Sequence, residues 1–245
     1  LYCRPAPPAG ERPPAPPAKP ESSEEETAVE AATESSELSA ETITSKVKGL
    51  LAELYNSKDV KEAVICVNEL VEGKADMANV FDNLLTVSLE SKDTSWETLN
   101  ELLKACGEDK VVAQADFEKG ARQLLDKLDD LTVDVPKAPA QVGDVLASLL
   151  ANDLVDLKVI AQHILEADAE PVPEGEESMM VDSGVALKAL GATLRGLKTA
   201  KGAEETAAAW KATELDYKSY IPAADREDAA VAEKFVSEYE LAEVL

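Results

Sequence analysis

Apolar residues recur along this chain at three- and four-residue spacing, which predicts a succession of amphipathic helices. Ile43, Val47, Leu50, Leu51 and Leu54 share one face of a first helix. After a short NSKD break, Val60, Ala63, Val64, Val67, Leu70 and Val71 line a second, with Asp59 as its N-cap. Asp76 caps a third helix carrying Val80, Phe81, Leu84, Leu85 and Leu89. Ser95 opens a fourth with Trp96, Leu99, Leu102 and Leu103, stopped at Gly107. The fifth is ADFEKGARQLLDKLDD, in which Phe117, Ala121, Leu124, Leu125 and Leu128 face one way. Val142, Val145, Leu146, Leu149 and Leu150 form a sixth, and Val155, Leu157, Ile160 and Ile164 a seventh. No alternating pattern long enough for a useful strand occurs.

The breaks between these segments are short, so consecutive helices are expected to pack as antiparallel neighbours. The pattern predicts an all-α, helical-hairpin stack, although its period is too irregular to establish a solenoid by itself. The run DAEPVPEGEESMMVDS (168–183) interrupts it as a loop. Helical spacing returns over 184–199 and 203–216, and a last segment, 225–244, carries Val231, Phe235, Val236 and Leu241, with LDYKSYIPAAD as the intervening turn. These later helices either pack on the first seven or form a small subdomain. Their aromatics, Trp210, Tyr217, Tyr220, Phe235 and Tyr239, are read as packing residues. Ahead of the helices, residues 1–20 contain eight prolines, a polyproline-like spacer. Residues 21–41 carry eight glutamates and no Lys or Arg, a disordered acidic tract whose Ser22, Ser23, Ser35 and Ser36 are read as solubilising.

Composition sharpens the reading. The chain has 245 residues, 45% hydrophobic but only 4% aromatic, and a net charge of −25. Ala, Val and Leu therefore supply the core, and the charge opposes contact with a phosphate backbone while favouring a basic partner. The first residue is Leu1, so the sequence is expected to be a piece of a longer chain. Cys3, Cys66 and Cys106 form neither a disulfide framework nor a metal-ligand spacing. Cys66 and Cys106 fall in apolar helical patterns and are expected to be buried, reduced thiols. No apolar run approaches the ~20 residues that span a bilayer. The single histidine, His163, sits in the seventh helix with no nucleophile in view. Phosphate-binding glycine motifs are absent. The chain is read as non-catalytic, with no cofactor, no metal site, no nucleic-acid contact and no membrane span.

One stretch, LLDKLDDLTVDVPKAP (124–139), reads against the helix rules. If the fifth helix runs on, Asp126, Asp129 and Asp130 load its C-terminal end, where negative charge opposes the macrodipole by about 0.3–1 kcal/mol each. Val135 precedes Pro136, which disfavours the α region, so the helix must end before it. Asp130 then lies at a helix end and Asp134 in the following turn. Two readings stay open on the residues alone. Asp134 caps the next helix and Asp130 is merely solvated, or both project from one corner toward arginines of a partner.

Two motifs resemble a known family. LYNSKDVKEAVICVNEL (54–70) is similar to the opening hairpin of an MA-3 domain. FEKGARQLLDKLDDLTVDVPKAPAQVGDVLASLL (117–150) is similar to that family's later half, where a helix ends in Asp-Leu-x-x-Asp-x-Pro-x-Ala-Pro. The family includes the translation initiation factor 4G scaffold and programmed cell death protein 4. The resemblance implies a HEAT-like stack of antiparallel helix pairs. The organisation expected is a disordered linker at 1–42, an MA-3-like helical domain at 43–168 and a C-terminal helical extension at 184–245. It also implies a cytoplasmic, non-enzymatic adaptor of translation initiation that meets other initiation factors. Its partner would be the DEAD-box RNA helicase initiation factor 4A. The positions that match the family's helicase contacts are Asp130 and Asp134, flanked here by Asp129, Leu131 and Val135. Two alternatives remain: an inhibitor of that helicase like programmed cell death protein 4, and a generic helical interaction scaffold. One departure is that a single such domain is visible where the inhibitor has two.

Overall fold

The computed structural model describes residues 38–168, 172 and 177–245. The expected linker up to residue 37, its serines and Cys3 lie outside the described residues. Among those described, all regular structure is helical. The first helices are α1 (Ala40–Ser57), α2 (Val60–Glu72), α3 (Met77–Glu90) and α4 (Trp96–Glu108). They begin where short polar side chains satisfy free backbone amides. Ser39 accepts from Thr42 N, Asp59 from Lys61 N and Glu62 N, Asp76 from Ala78 N, and Ser95 from Thr98 N. The first helix thus starts slightly ahead of the expected boundary at residue 43. Then come α5 (Gln114–Leu125), α6 (Leu128–Asp134), α7 (Ala138–Ala151), α8 (Leu157–Glu166) and α9 (Met179–Asp182). Last are α10 (Val185–Lys201), α11 (Ala203–Thr213), a single 3-10 turn at Tyr217–Tyr220, and α12 (Ala229–Glu238).

The packing is two-layered. Consecutive α1 and α2 touch, but most burial is between alternate helices. One layer runs α1, α3, α5, α8, α11, and the other α2, α4, α7, α10, each helix packing on the next in its row. This is the HEAT-like stack. In this order α6 occupies the connection from α5 to α7, and α9 the connection from α8 to α10. The two short helices are therefore corners of neighbouring hairpins, and they touch each other. All twelve described helices lie in one compact unit, so the segment after residue 184 packs on the first helices rather than apart from them.

The core follows the predicted apolar stripes. Leu99, Leu102, Leu124, Leu125, Leu128 and Leu146 are fully buried, and Phe81 meets Phe117 edge to face at 5.3 Å. Cys106 is buried as expected; Cys66 differs, being only half-buried on α2. Where α7 crosses α10 the contact is closer than ordinary side chains allow. A Cβ on Gly143 would stand 2.5 Å from Ala192 Cβ and 2.7 Å from Ala189 O, and one on Gly196 would stand 2.6 Å from Ala147 Cβ. The later segment is fastened by its aromatics. Trp210, Tyr220 and Phe235 are buried, and the Tyr220 hydroxyl donates to Ala161 O of α8 at 2.9 Å. Arg226 donates to the Glu177 carboxylate and to Ile221 O at 2.8 Å, drawing the chain before α9 onto the turn after the 3-10 segment.

Among the described residues, six other than glycine take left-handed backbone angles: Lys58, Lys74, Lys110, Asp153, Glu214 and Glu240, with φ between 55° and 63°. Each stands at or just past a helix C-terminus, where this geometry lets backbone amides reach back to orphan carbonyls. Lys58 N, for example, donates to Leu54 O at 2.8 Å.

Candidate functional site

The acid-loaded stretch does not form the single helix its spacing suggested. After Leu125 the chain makes a two-residue break at Asp126 and Lys127, and α6 begins at Leu128. This corrects the expectation of badly placed charge. Asp129 and Asp130 lie in the first turn of α6, where the macrodipole favours them by about 0.3–1 kcal/mol each at an exposed site. The break is held from both sides. Asp126 bonds His163 Nε2 of α8 at 2.8 Å, and Lys127 Nζ meets the buried Asp82 of α3 at 2.7 Å. An ionised carboxylate only accepts, so Nε2 of His163 carries the hydrogen. Periodicity missed the break because the leucines on either side of it, Leu124, Leu125 and Leu128, are all buried and keep the helical stripe unbroken. The signal available was the density of Asp around Lys127.

The end of α6 follows the proline rule. Val135, before Pro136, has φ −125° and ψ 83°, and α7 starts at Ala138 with Pro139 in its first turn. Asp134 is the last residue of α6 rather than part of the following turn. It does not cap α7, whose N-cap position, Lys137, makes no side-chain cap bond.

The predicted site residues separate into two groups. Asp130 and Asp134 are exposed, and their carboxylates have no hydrogen bond or ion pair to any described residue. At i and i+4 they share one face of α6. Asp129 is different: it is half-buried, and its Oδ1 accepts from Ser183 Oγ at 2.6 Å. Leu131 and Val135 are half-buried against the core, so only their edges reach solvent. The apolar side chain that does project is Val133, 80% exposed, next to Asp134 and three residues past Asp130. Sequence reasoning missed it, yet the stripe of Leu128, Leu131 and Val135 leaves Val133 off the buried face. Met179 of α9, the neighbouring corner, is also exposed.

His163 and Asp126 form a pair, but no nucleophile is bonded to that ring among the described residues. No group of three or more His, Cys, Asp or Glu among them is placed to hold a metal. Burial and the nearby Asp109 push the Cys106 thiol up to about 12, away from a reactive thiolate. No helix among the described residues is long and apolar enough to cross a membrane.

Comparison with known proteins finds similarity over part of the chain. Residues 43–156 match the family model of the MA3 domain. The eukaryotic translation initiation factor 4G of Triticum aestivum is 26% identical over 179 residues, 71% of this chain and 11% of the relative. That of Oryza sativa subsp. japonica is 28% identical over 154 residues, 62% of this chain and 8% of the relative. The eukaryotic translation initiation factor 4 gamma 3 of Homo sapiens is 23% identical over 193 residues, 78% of this chain and 11% of the relative. The chain spans about a tenth of the length of these relatives. An alignment covering 78% of the chain must extend past residue 156, beyond the family match.

Proposed function

We propose, with residues 43–156 as an MA3 domain, that this chain is a non-catalytic adaptor segment of translation initiation acting in the cytoplasm. It docks a DEAD-box RNA helicase, initiation factor 4A, through the outer face of α6, and so brings the helicase to other initiation factors. The observation that carries the reading is the pair of exposed, unpartnered carboxylates, Asp130 and Asp134, on one face of a seven-residue helix. Carboxylates so placed suit guanidinium forks, whose bidentate bonds fix orientation as well as adding energy. Val133 supplies apolar contact on one side of the pair, and the exposed edges of Leu131 and Val135 flank it on the other. If the pairs are desolvated on docking, removing one carboxylate costs about 2–5 kcal/mol of affinity. Exposed rim pairs would instead show mainly as salt dependence of association.

The test is pull-down and titration of purified initiation factor 4A with wild type and with the double variant Asp130→Ala, Asp134→Ala. The expected result is at least about a ten-fold loss of affinity with the helical circular-dichroism spectrum and melting temperature unchanged. Equal binding by the double variant removes the site. Helicase ATPase measured in the same mixtures separates roles: an adaptor leaves it intact or raises it, whereas an inhibitor lowers it.

A further inference from the structure

We propose that His163 of α8 and Ser183, the residue just past α9, are positioning residues that hold the acidic face of α6 outward, so that the docking unit extends beyond the segment matched by the family model. This rests on the reading of α6 as the docking face. With seven residues, α6 is far shorter than the about 12–15 at which a helix stands alone in water, so its orientation is set by what grips it. One grip is Leu128, fully buried. Besides the Lys127–Asp82 pair and the half-buried Leu131 and Val135, two charge-assisted bonds lie on either side of Leu128. Asp126 accepts from His163 Nε2 at 2.8 Å, and Asp129 accepts from Ser183 Oγ at 2.6 Å.

Both donors lie past residue 156. They come from the next hairpin of the stack, α8 and α10 with α9 at its corner. Each engages a carboxylate next to the docking face and leaves Asp130 and Asp134 free. The division of labour among the acids is then explicit. Asp126 and Asp129 fasten the corner to its neighbour, and Asp130 and Asp134 remain for a partner. The alignment with the Homo sapiens relative, which must reach past the family match, accords with a unit of this extent.

The experiment uses the full chain with His163→Leu, His163→Gln and Ser183→Ala. Glutamine restores a donor near the position of Nε2; leucine keeps volume without one. In the free protein, amide exchange over residues 128–134 is expected to quicken about ten-fold in His163→Leu and Ser183→Ala, and to stay near wild type in His163→Gln. Affinity for initiation factor 4A is expected to fall about three- to ten-fold in the first two, with rescue by glutamine and no further loss when Asp130→Ala and Asp134→Ala are both already present. Unchanged exchange over α6, or a glutamine variant behaving like leucine, overturns the positioning roles. The two readings fail separately. Quickened exchange in a protein whose wild type does not bind the helicase sustains the anchoring of α6 and overturns the docking reading.

Discussion

Two contacts join the same pair of neighbouring hairpins, and they are built on opposite plans. Along the helix bodies, α7 meets α10 through Gly143, Ala147, Ala189, Ala192 and Gly196, a close seam with no room for an added carbon at either glycine. Even its buried Thr193 is satisfied locally, donating to Ala189 O at 2.8 Å. At the corners, α6 meets α9 through the Ser183–Asp129 hydrogen bond, with Val133 and Met179 left in solvent. The seam fixes the spacing of the repeats, so the corner need not. That freedom is what lets a short helix carry unpaired charge without endangering the fold. Arg195, Lys201 and Lys127 are taken up by Asp144, Asp153 and Asp82, whereas Asp130 and Asp134 of α6 have no such partner among the described residues.

If bodies hold the fold and corners do not, substitutions should rank accordingly. Leu146→Ala, in the buried body of α7, should cost about 2–5 kcal/mol in urea denaturation. Lys127→Met strands the buried carboxylate of Asp82 and, with the lysine itself partly exposed, should cost about 1–3 kcal/mol in the same assay. Gly143→Val forces α10 away from α7 and should cost about 1–3 kcal/mol, read as a lowered melting temperature.

Alkali tests the interior without any substitution. The Cys106 thiol is raised from 9.0 to about 12 by burial and by Asp109, so the folded state keeps a proton that the unfolded chain releases. Stability is whole below about pH 9 and should decline from there toward pH 12, by at most about 1.4 kcal/mol per pH unit from this group. The Tyr220 hydroxyl, also raised by burial, adds a decline in the same direction at higher pH. Cys106→Ala should flatten the part of the curve that begins near pH 9 in denaturation series. At the bottom of the ranking, the double variant Asp130→Ala, Asp134→Ala should move stability by no more than about 0.5 kcal/mol. A larger shift would mean that the corner is structural after all.

The bodies were also what the sequence made legible. Long apolar stripes on α1 to α5, α7 and α8, with Asp59, Asp76 and Ser95 as caps, announced helices that the structure contains. The corners were not. Asp126 and Lys127 break a stripe that the leucines continue, because the forces that end α5 there come from His163 and Asp82 on other helices. Helix α9 was read as loop, since four residues are too few to display a period. Its Ser178, which accepts from Val181 N, was the one local sign. Asp130 and Asp134 were picked out by the acid-loaded pattern before Pro136 and then by resemblance, whereas Val133 required knowing which face of α6 is buried.

The left-handed helix ends have a consequence of their own. Lys58, Lys74 and Lys110 occupy conformations that glycine adopts freely, at a strain of about 1–2 kcal/mol per residue. Yet each is a cation in a chain of charge −25, where self-repulsion is a standing cost. Exchanging them for glycine would relax the backbone and deepen the excess of negative charge together. Ionic strength should then decide the sign: little gain or a loss in dilute buffer, and a net gain once added salt quiets the repulsion.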